Sequence, residues 1–281
     1  MTSVLYDVPG PIARRRSLTA SVVGTVVILA GAGWGVFTLA QQGLFAANRW
    51  DIFSQAVVWN FLLQGIWATV SAAAIAAVIA FIAAFGLALM RMSEHAWIRI
   101  PTMTVMELLR GMPVVLMMFF ILLVFASSPF IAVVAGLALY NAAIFAEILR
   151  AGIQSLPRGQ REAGLAIGLS SLRSRLIIEL PQAIRRMLPS LIAQLVVLLK
   201  DTSLGYIVTY EELLRKVNIL SDFFGSKYLF SVFFVGAAIY ILINLAVSRL
   251  AIWIERRGSK KAAGGVAPAA AVAVSGPGGT V

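Results

Sequence analysis

Apolar residues run along this chain in long unbroken stretches, without the alternation of a half-buried strand or the one-sided stripe of a surface helix. Six stretches approach or exceed the roughly 20 residues that cross a hydrocarbon core about 30 Å thick at about 1.5 Å per residue. They are Leu18–Ala40, Trp59–Met90, Pro113–Ser128, Ile131–Leu149, Leu188–Val208 and Leu229–Ile254. The second is long enough to tilt or to project beyond the bilayer. The third is short and gains length if it starts near Thr104. The pattern predicts an all-α membrane protein with six transmembrane helices. It divides the chain into an N-terminal segment 1–17, a first helix 18–40, a five-span region 59–254 and a tail 255–281. From about Ala262 the tail is uncharged Ala, Gly, Val and Pro, which predicts flexibility.

The basic residues give the spans a direction. With the N-terminus inside, the inner segments carry 18 of the 23 Lys and Arg, the outer segments carry Arg49, Arg215, Lys216 and Lys227, and Lys200 lies within a span. That asymmetry predicts both termini in the cytoplasm of a cell whose membrane the chain crosses six times. It also explains the net charge of +11 without nucleic acid, and makes membrane lipid with anionic headgroups the neighbour of these arginines. Arg14–Arg16 before an apolar run resemble the start of a signal peptide. The run is longer than a signal core and no A-x-A site follows, so the first helix is read as retained. Composition agrees: 60% apolar and 12% charged residues, with a mean hydropathy of +0.91, exclude an ordinary soluble domain. With no cysteine and the single His95, thiolate chemistry and multi-histidine metal sites are excluded too.

The longest inner segment, about 150–187, reads RAGIQSLPRGQREAGLAIGLSSLRSRLIIELPQAIRR up to Arg186. Ser155 and Pro157 predict a helix start, and Gly168 a helix end. Ser170 or Ser171 caps a second short helix, closed by Pro181. Leu165, Ile167, Leu169 and Leu172 are apolar positions among charges. The segment is either an amphipathic interfacial piece or a docking element for a cytoplasmic partner.

Here the chain resembles a known family. Glu162-Ala163-Gly164, then Gly168, Ile178 and Leu180-Pro181 at their spacing, resemble the EAA motif of ABC-importer permeases, with Gly164 in place of the usual second alanine. The resemblance extends from about Asn60 to Leu250. It includes Gly65, Thr69, Arg91-Met92-Ser93, the turn Glu107–Pro113, and Ala142-Ala143 with Glu147, Arg150 and Gly152. It continues through Gly159-Gln160, Pro181-Gln182-Ala183, Arg185 and Lys200-Asp201-Thr202-Ser203-Leu204. Ile144 and Ala193 depart from the family's usual tyrosine and asparagine. The stretches LYNAA, KDTSLGYIVTYEEL and VLYDVPGP are most similar to the actinobacterial glutamate-uptake permeases called D subunits, within the polar amino acid family.

The resemblance implies that spans two to six form a MetI-like permease core, with the first helix an addition. It implies coupling to an ATPase through Glu162, Ala163, Gly164, Gly168, Ile178, Leu180 and Pro181. This chain would bind no cofactor, ATP and Mg being held by the partner ATPase subunits. The other implied partners are a second permease subunit, a different chain, and an extracytoplasmic amino-acid-binding protein, which the mixed-charge stretch Glu211–Lys227 could meet.

Charged and polar groups inside the spans are the second signal. An uncompensated Lys or Asp at a helix centre costs about 2.5–3.5 kcal/mol, so Lys200 and Asp201 face protein, water or solute, or the helix breaks there, as nearby Gly205 would allow. Adjacent helical residues do not face each other, so the two cannot simply neutralise one another. Either they line the translocation pathway or they make an internal pair, for example with Glu147. Glu147 and Arg150, three apart, can themselves pair. Asn141, Glu147, Gln194, Lys200, Asp201, Thr202 and Ser203 are the candidate substrate-pathway residues. Phosphate-loop, G-x-S-x-G and H-E-x-x-H motifs are all absent, so no catalytic residue is assigned and ATP hydrolysis is expected on a separate subunit. The competing reading is an ion-gradient-driven secondary amino-acid transporter, favoured by the intramembrane charges. It lacks a visible repeat between halves and leaves the long inner loop unexplained.

Overall fold

The computed structural model describes residues 10–263, and within them the protein is helical throughout. Ten α-helices follow in order: α1 Pro11–Gln41, α2 Ala56–Arg91, α3 Ala96–Gly111, α4 Val114–Val124, α5 Pro129–Gln154, α6 Arg158–Ala166, α7 Ser171–Ser174, α8 Leu180–Asp201, α9 Leu213–Phe224 and α10 Leu229–Ala263. Five helical stretches are long and apolar enough to cross a membrane, and α3 with α4 makes a sixth if the bent pair counts as one span.

The core forms where α2 lies along α5. Ala72, Ala76, Ala80, Ala84 and Ala88 recur every fourth residue, and each is at most 1% exposed. A stripe of methyl groups lets two backbones approach closely, which is how helices pack where lipid removes the hydrophobic drive to associate. α5 answers with Val133, Leu137, Ala142, Phe145, Ala146 and Leu149. Gly136 receives Met118 of α4, and Gly152 receives Met187 and Ala183 of α8. A Cβ at either glycine would lie under 3 Å from a methionine side chain. A second cluster, of Ile52, Val58, Leu62, Leu213, Val217, Leu220 and Val232, joins α2, α9 and α10 at the end away from α6. Trp50, Phe53, Trp59, Phe230 and Phe234 gather at that same end, the kind of aromatic belt that marks a membrane boundary.

Several boundaries differ from the sequence reading for identifiable reasons. The third span is two helices meeting at 100°. The break falls at Met112-Pro113, where proline disfavours helix at the residue before it. Arg110 is therefore in the last turn of α3, beside Tyr140 and Glu147, and not in an inner loop. Pro181 does not close a short helix. α7 runs through a π-helical turn, Arg175–Glu179, into α8, and Pro181 lies inside that continuous stretch just after the π-helical turn, where the regular hydrogen-bond ladder is already altered. The break foreseen near Gly205 is present: α8 gives way to a 3-10 segment, Thr202–Val208, and Thr209 turns left-handed at φ 64°. α10 continues to Ala263, past the expected start of the tail at 255; the rest of that tail lies outside the described residues. α1 has no buried residue.

Candidate functional site

The loop between α5 and α8 is built as a rigid hairpin. α6 ends at Ala166, and Gly168 follows at φ +83°, a conformation that glycine adopts without the Cβ penalty other residues meet. Ser170 then caps α7 by accepting from the Arg173 backbone N–H at 3.4 Å. Gly164 faces back across the hairpin. A Cβ there would lie 2.4 Å from Ser174 Oγ and 3.0 Å from Ile178 Cδ1. The departure from alanine at this motif position thus has a local cause: α6 packs directly on the hydroxyl of Ser174, which in turn reaches Glu179 Oε1 at 3.3 Å. Gln160 and Gln182 tie the two arms by a 3.0 Å hydrogen bond.

The motif residues divide into two sets. Gly164 and Leu180 are buried and Ile178 is half-buried, so these hold the hairpin together. Glu162, Ala163, Gly168 and Pro181 are exposed. Leu165 and Ile167 are exposed as well, at 44% and 74%. A short helix clamped from behind and presenting one carboxylate with apolar neighbours is a surface that another protein can push as a unit.

The candidate pathway residues do not form one site. Asn141 of α5 is fully buried; its Nδ2 donates to the Leu137 carbonyl and its Oδ1 accepts from Gln194 Nε2 of α8 at 2.9 Å. The pair is an interhelical tie. Glu147 pairs with Arg150 at 2.5 Å rather than with Lys200. It opens onto a cleft of about 730 Å³ shared with Glu107, Arg110, Gly111, Tyr140, Ile144 and Ile148. Lys200 and Ser203 line a different groove, of about 310 Å³, against Leu213, Val217, Gly236 and Tyr240. Thr202 is buried, with Oγ1 on the Leu199 carbonyl at 2.7 Å and 3.2 Å from Tyr240 Oη. Asp201 is half-buried and makes no ion pair among the described residues. Of the seven, Glu147 is the one beside a broad polar cleft.

Sequence reading missed Glu212. It is fully buried, yet its carboxylate caps α9, accepting from Leu214 N–H and Arg215 N–H at 2.8 Å each. Thr69 of α2 completes the cap by accepting from Leu213 N–H at 3.1 Å. Burial pushes the Glu212 carboxyl up to about 7 in spite of those donors. The stretch Glu211–Lys227 is consequently not a free charged loop. Lys216 is buried too, held by Glu211 at 2.6 Å and lying 4.3 Å from the Phe61 ring centroid. That hydrogen bond holds the Glu211 carboxyl below its usual range. The signal for this inward face was apolar: Leu213, Val217 and Leu220 fall on one side of the α9 helix.

Comparison with known proteins places this architecture. Residues 76–260 match the family described as binding-protein-dependent transport system inner membrane component. The glutamate transport system permease protein GluD of Corynebacterium glutamicum is 39% identical over 228 residues, covering 78% of this chain and 83% of that protein. The glutamate/aspartate import permease protein GltK of Escherichia coli is 32% identical over 210 residues, or 70% of this chain and 93% of that one. Among solved structures, an amino acid ABC transporter crystallised with histidines superposes with a TM-score of 0.66 at 28% identity, covering 73% of this chain and 97% of that one. The MetNI methionine transporter shares the fold at 15% identity, with a TM-score of 0.58 over 71% of this chain and 99% of that one.

Proposed function

The chain belongs to the family of binding-protein-dependent transport system inner membrane components and is the permease of an ABC amino acid importer; on that premise we propose that its solute is glutamate. The observation that carries this is the 39% identity to a glutamate permease over more than three quarters of the chain. The polar cleft at Glu147, with Arg110 on its wall, gives an acidic amino acid a cation to approach.

The family's ATPase is a separate subunit, so this chain has to receive work and not generate it. α6 is the receiver in this reading, supported by its exposed Glu162 and Ala163 and by the close packing of Gly164 behind them. The face bearing α6 is then cytoplasmic, in accord with the distribution of basic residues. A binding protein delivers solute at the opposite face, and a second permease, a different chain, completes the pathway. ATP-driven closure of the ATPase pair becomes rocking of the helical bundle.

The test is uptake of labelled glutamate in cells with and without the gene, with glutamine and arginine as competitors and ATP or the proton gradient depleted in turn. Gene-dependent uptake that follows ATP and is little affected by arginine is the expected result. Unchanged glutamate uptake would move the solute to another polar amino acid. Uptake following the proton gradient alone would overturn ATP-driven import.

A further inference from the structure

The end of the protein that carries α6 holds a cleft of about 470 Å³ between α2, α3, α5, α6 and the π-helical turn. Six guanidiniums wall it: Arg91, Arg99, Arg150, Arg158, Arg161 and Arg175. One carboxylate, Glu179, shares the lining, and it accepts from the Ser174 hydroxyl. Two others reach rim arginines, Glu147 on Arg150 and Glu94 on Arg161 at 3.3 Å. Arg99 and Arg158 have no acidic partner among the described residues. Positive charge exceeds negative even with every carboxylate engaged.

Arg175 sets this cleft apart from an ordinary basic surface. It is 8% exposed, its Nη1 donates to the Met92 carbonyl at 2.5 Å, and its Nε is buried without a partner. Leaving a buried charged donor unmade is costly. That Nε is closed off from the cleft; what the cleft presents is the excess of guanidiniums on its wall, and a forked guanidinium matches the oxygens of a phosphate. The surroundings suggest the depth at which such an anion would lie. Trp97, 74% exposed, stands two residues before Arg99, and tryptophan favours the headgroup level. Ile100 is exposed on the same helix, and Met103 carries an apolar edge into the cleft.

We propose that this cleft is a binding site for a phosphate-bearing anion that ties α6 and the π-helical turn to the ends of α2 and α5. An anionic phospholipid supplies that chemistry from the membrane, and a free phosphate compound supplies it from solution. The site goes beyond the transport reading and does not depend on which solute is carried.

The full chain, purified in neutral detergent, is melted while its six tryptophans report unfolding. The probes are dioleoyl-phosphatidylglycerol, dioleoyl-phosphatidylcholine, potassium phosphate and glutamate, each added separately. Phosphatidylglycerol should raise Tm by about 3 °C or more over phosphatidylcholine, the scale expected of a ligand well above its Kd on a chain of this size. Arg99→Gln with Arg158→Gln should remove at least half of that shift. Arg14→Gln with Arg15→Gln, which removes the same charge from exposed positions on α1, should keep it. Arg175→Gln should abolish the shift; if that variant does not fold, the Arg99/Arg158 pair decides. A shift with potassium phosphate that depends on the same arginines supports the site with a soluble ligand. The proposal is overturned if both paired variants lose the shift equally, if the cleft pair keeps it in full, or if neither phosphate probe shifts Tm. It is also overturned if only glutamate gives the arginine-dependent shift, since the cleft would then belong to the solute path.

Discussion

A single missing methyl group shows how far residue chemistry reaches in this protein. Gly164 was legible as a departure from a motif, but the reason for it was not, because Ser174 lies ten residues away across a turn and sequence spacing does not reveal which hydroxyl will face which glycine. The structure gives the distance and hence a prediction. Gly164→Val overpacks the hairpin, a defect worth about 1–3 kcal/mol, and should cut uptake at least tenfold at normal membrane levels of the protein. Gly164→Ala should be milder, and adding Ser174→Ala, which removes the atom 2.4 Å away, should restore most of the loss. Uptake by radiolabel together with quantitative blotting checks all three; full activity of Gly164→Val would show that the hairpin need not be rigid. Asn141 teaches the opposite lesson. Its polarity within a span was visible in the sequence and made it a pathway candidate; in the structure its amide is engaged by the Leu137 carbonyl and Gln194. Polarity marks a group that must be satisfied, and does not say by what.

At the level of elements, hydrophobic run length identified the long helices because a bilayer imposes it. It did not identify α9, where burial comes from packing against α2 and α10 and the apolar residues are interleaved with charges. Nor did it resolve the 100° bend between α3 and α4, because the apolar run continues on both sides of Met112-Pro113 and run length alone does not register a turn. The entry to α9 carries its own pH dependence. Burial pushes the Glu212 carboxyl up from the ordinary 4.5 to about 7. Between those two values the folded chain holds a proton that the unfolded chain has released. Stability should therefore fall as pH rises from about 4.5 to 7 and level off above. Glu212→Gln should flatten that part of the profile in thermal melts from pH 5 to 8. An unchanged slope in the variant would assign the titration to another group.

For the whole molecule, the helices differ sharply in how much they rest on one another. Leu62 is 1% exposed and Leu137 is fully buried, so replacing either with alanine should cost about 2–5 kcal/mol. Leu29 and Trp34 of α1 are 65% and 70% exposed, and their alanine variants should stay within about 0.5 kcal/mol of the parent. Denaturation of the detergent-solubilised chain measures both pairs. A large loss at Leu29 would mean that α1 packs on the bundle in solution. The resemblance began after α1 and implied that it is an addition; in the structure α1 is a helix without a buried side chain.

The unbroken passage of α7 through the π-helical turn into α8 has a mechanical consequence. Ser171 to Asp201 is one continuous helical path about 46 Å long at about 1.5 Å per residue, with the π-helical turn near one end and Pro189 near its middle. A tilt of about 10° around its midpoint swings the two ends by about 4 Å in opposite directions, on the same length scale. One end is anchored beside Gly164, and the other bears Lys200 and the 3-10 segment. A push at the hairpin reaches the far side through the π-helical turn and Pro189, the two places where the regular hydrogen-bond ladder is interrupted and the stroke can be bent.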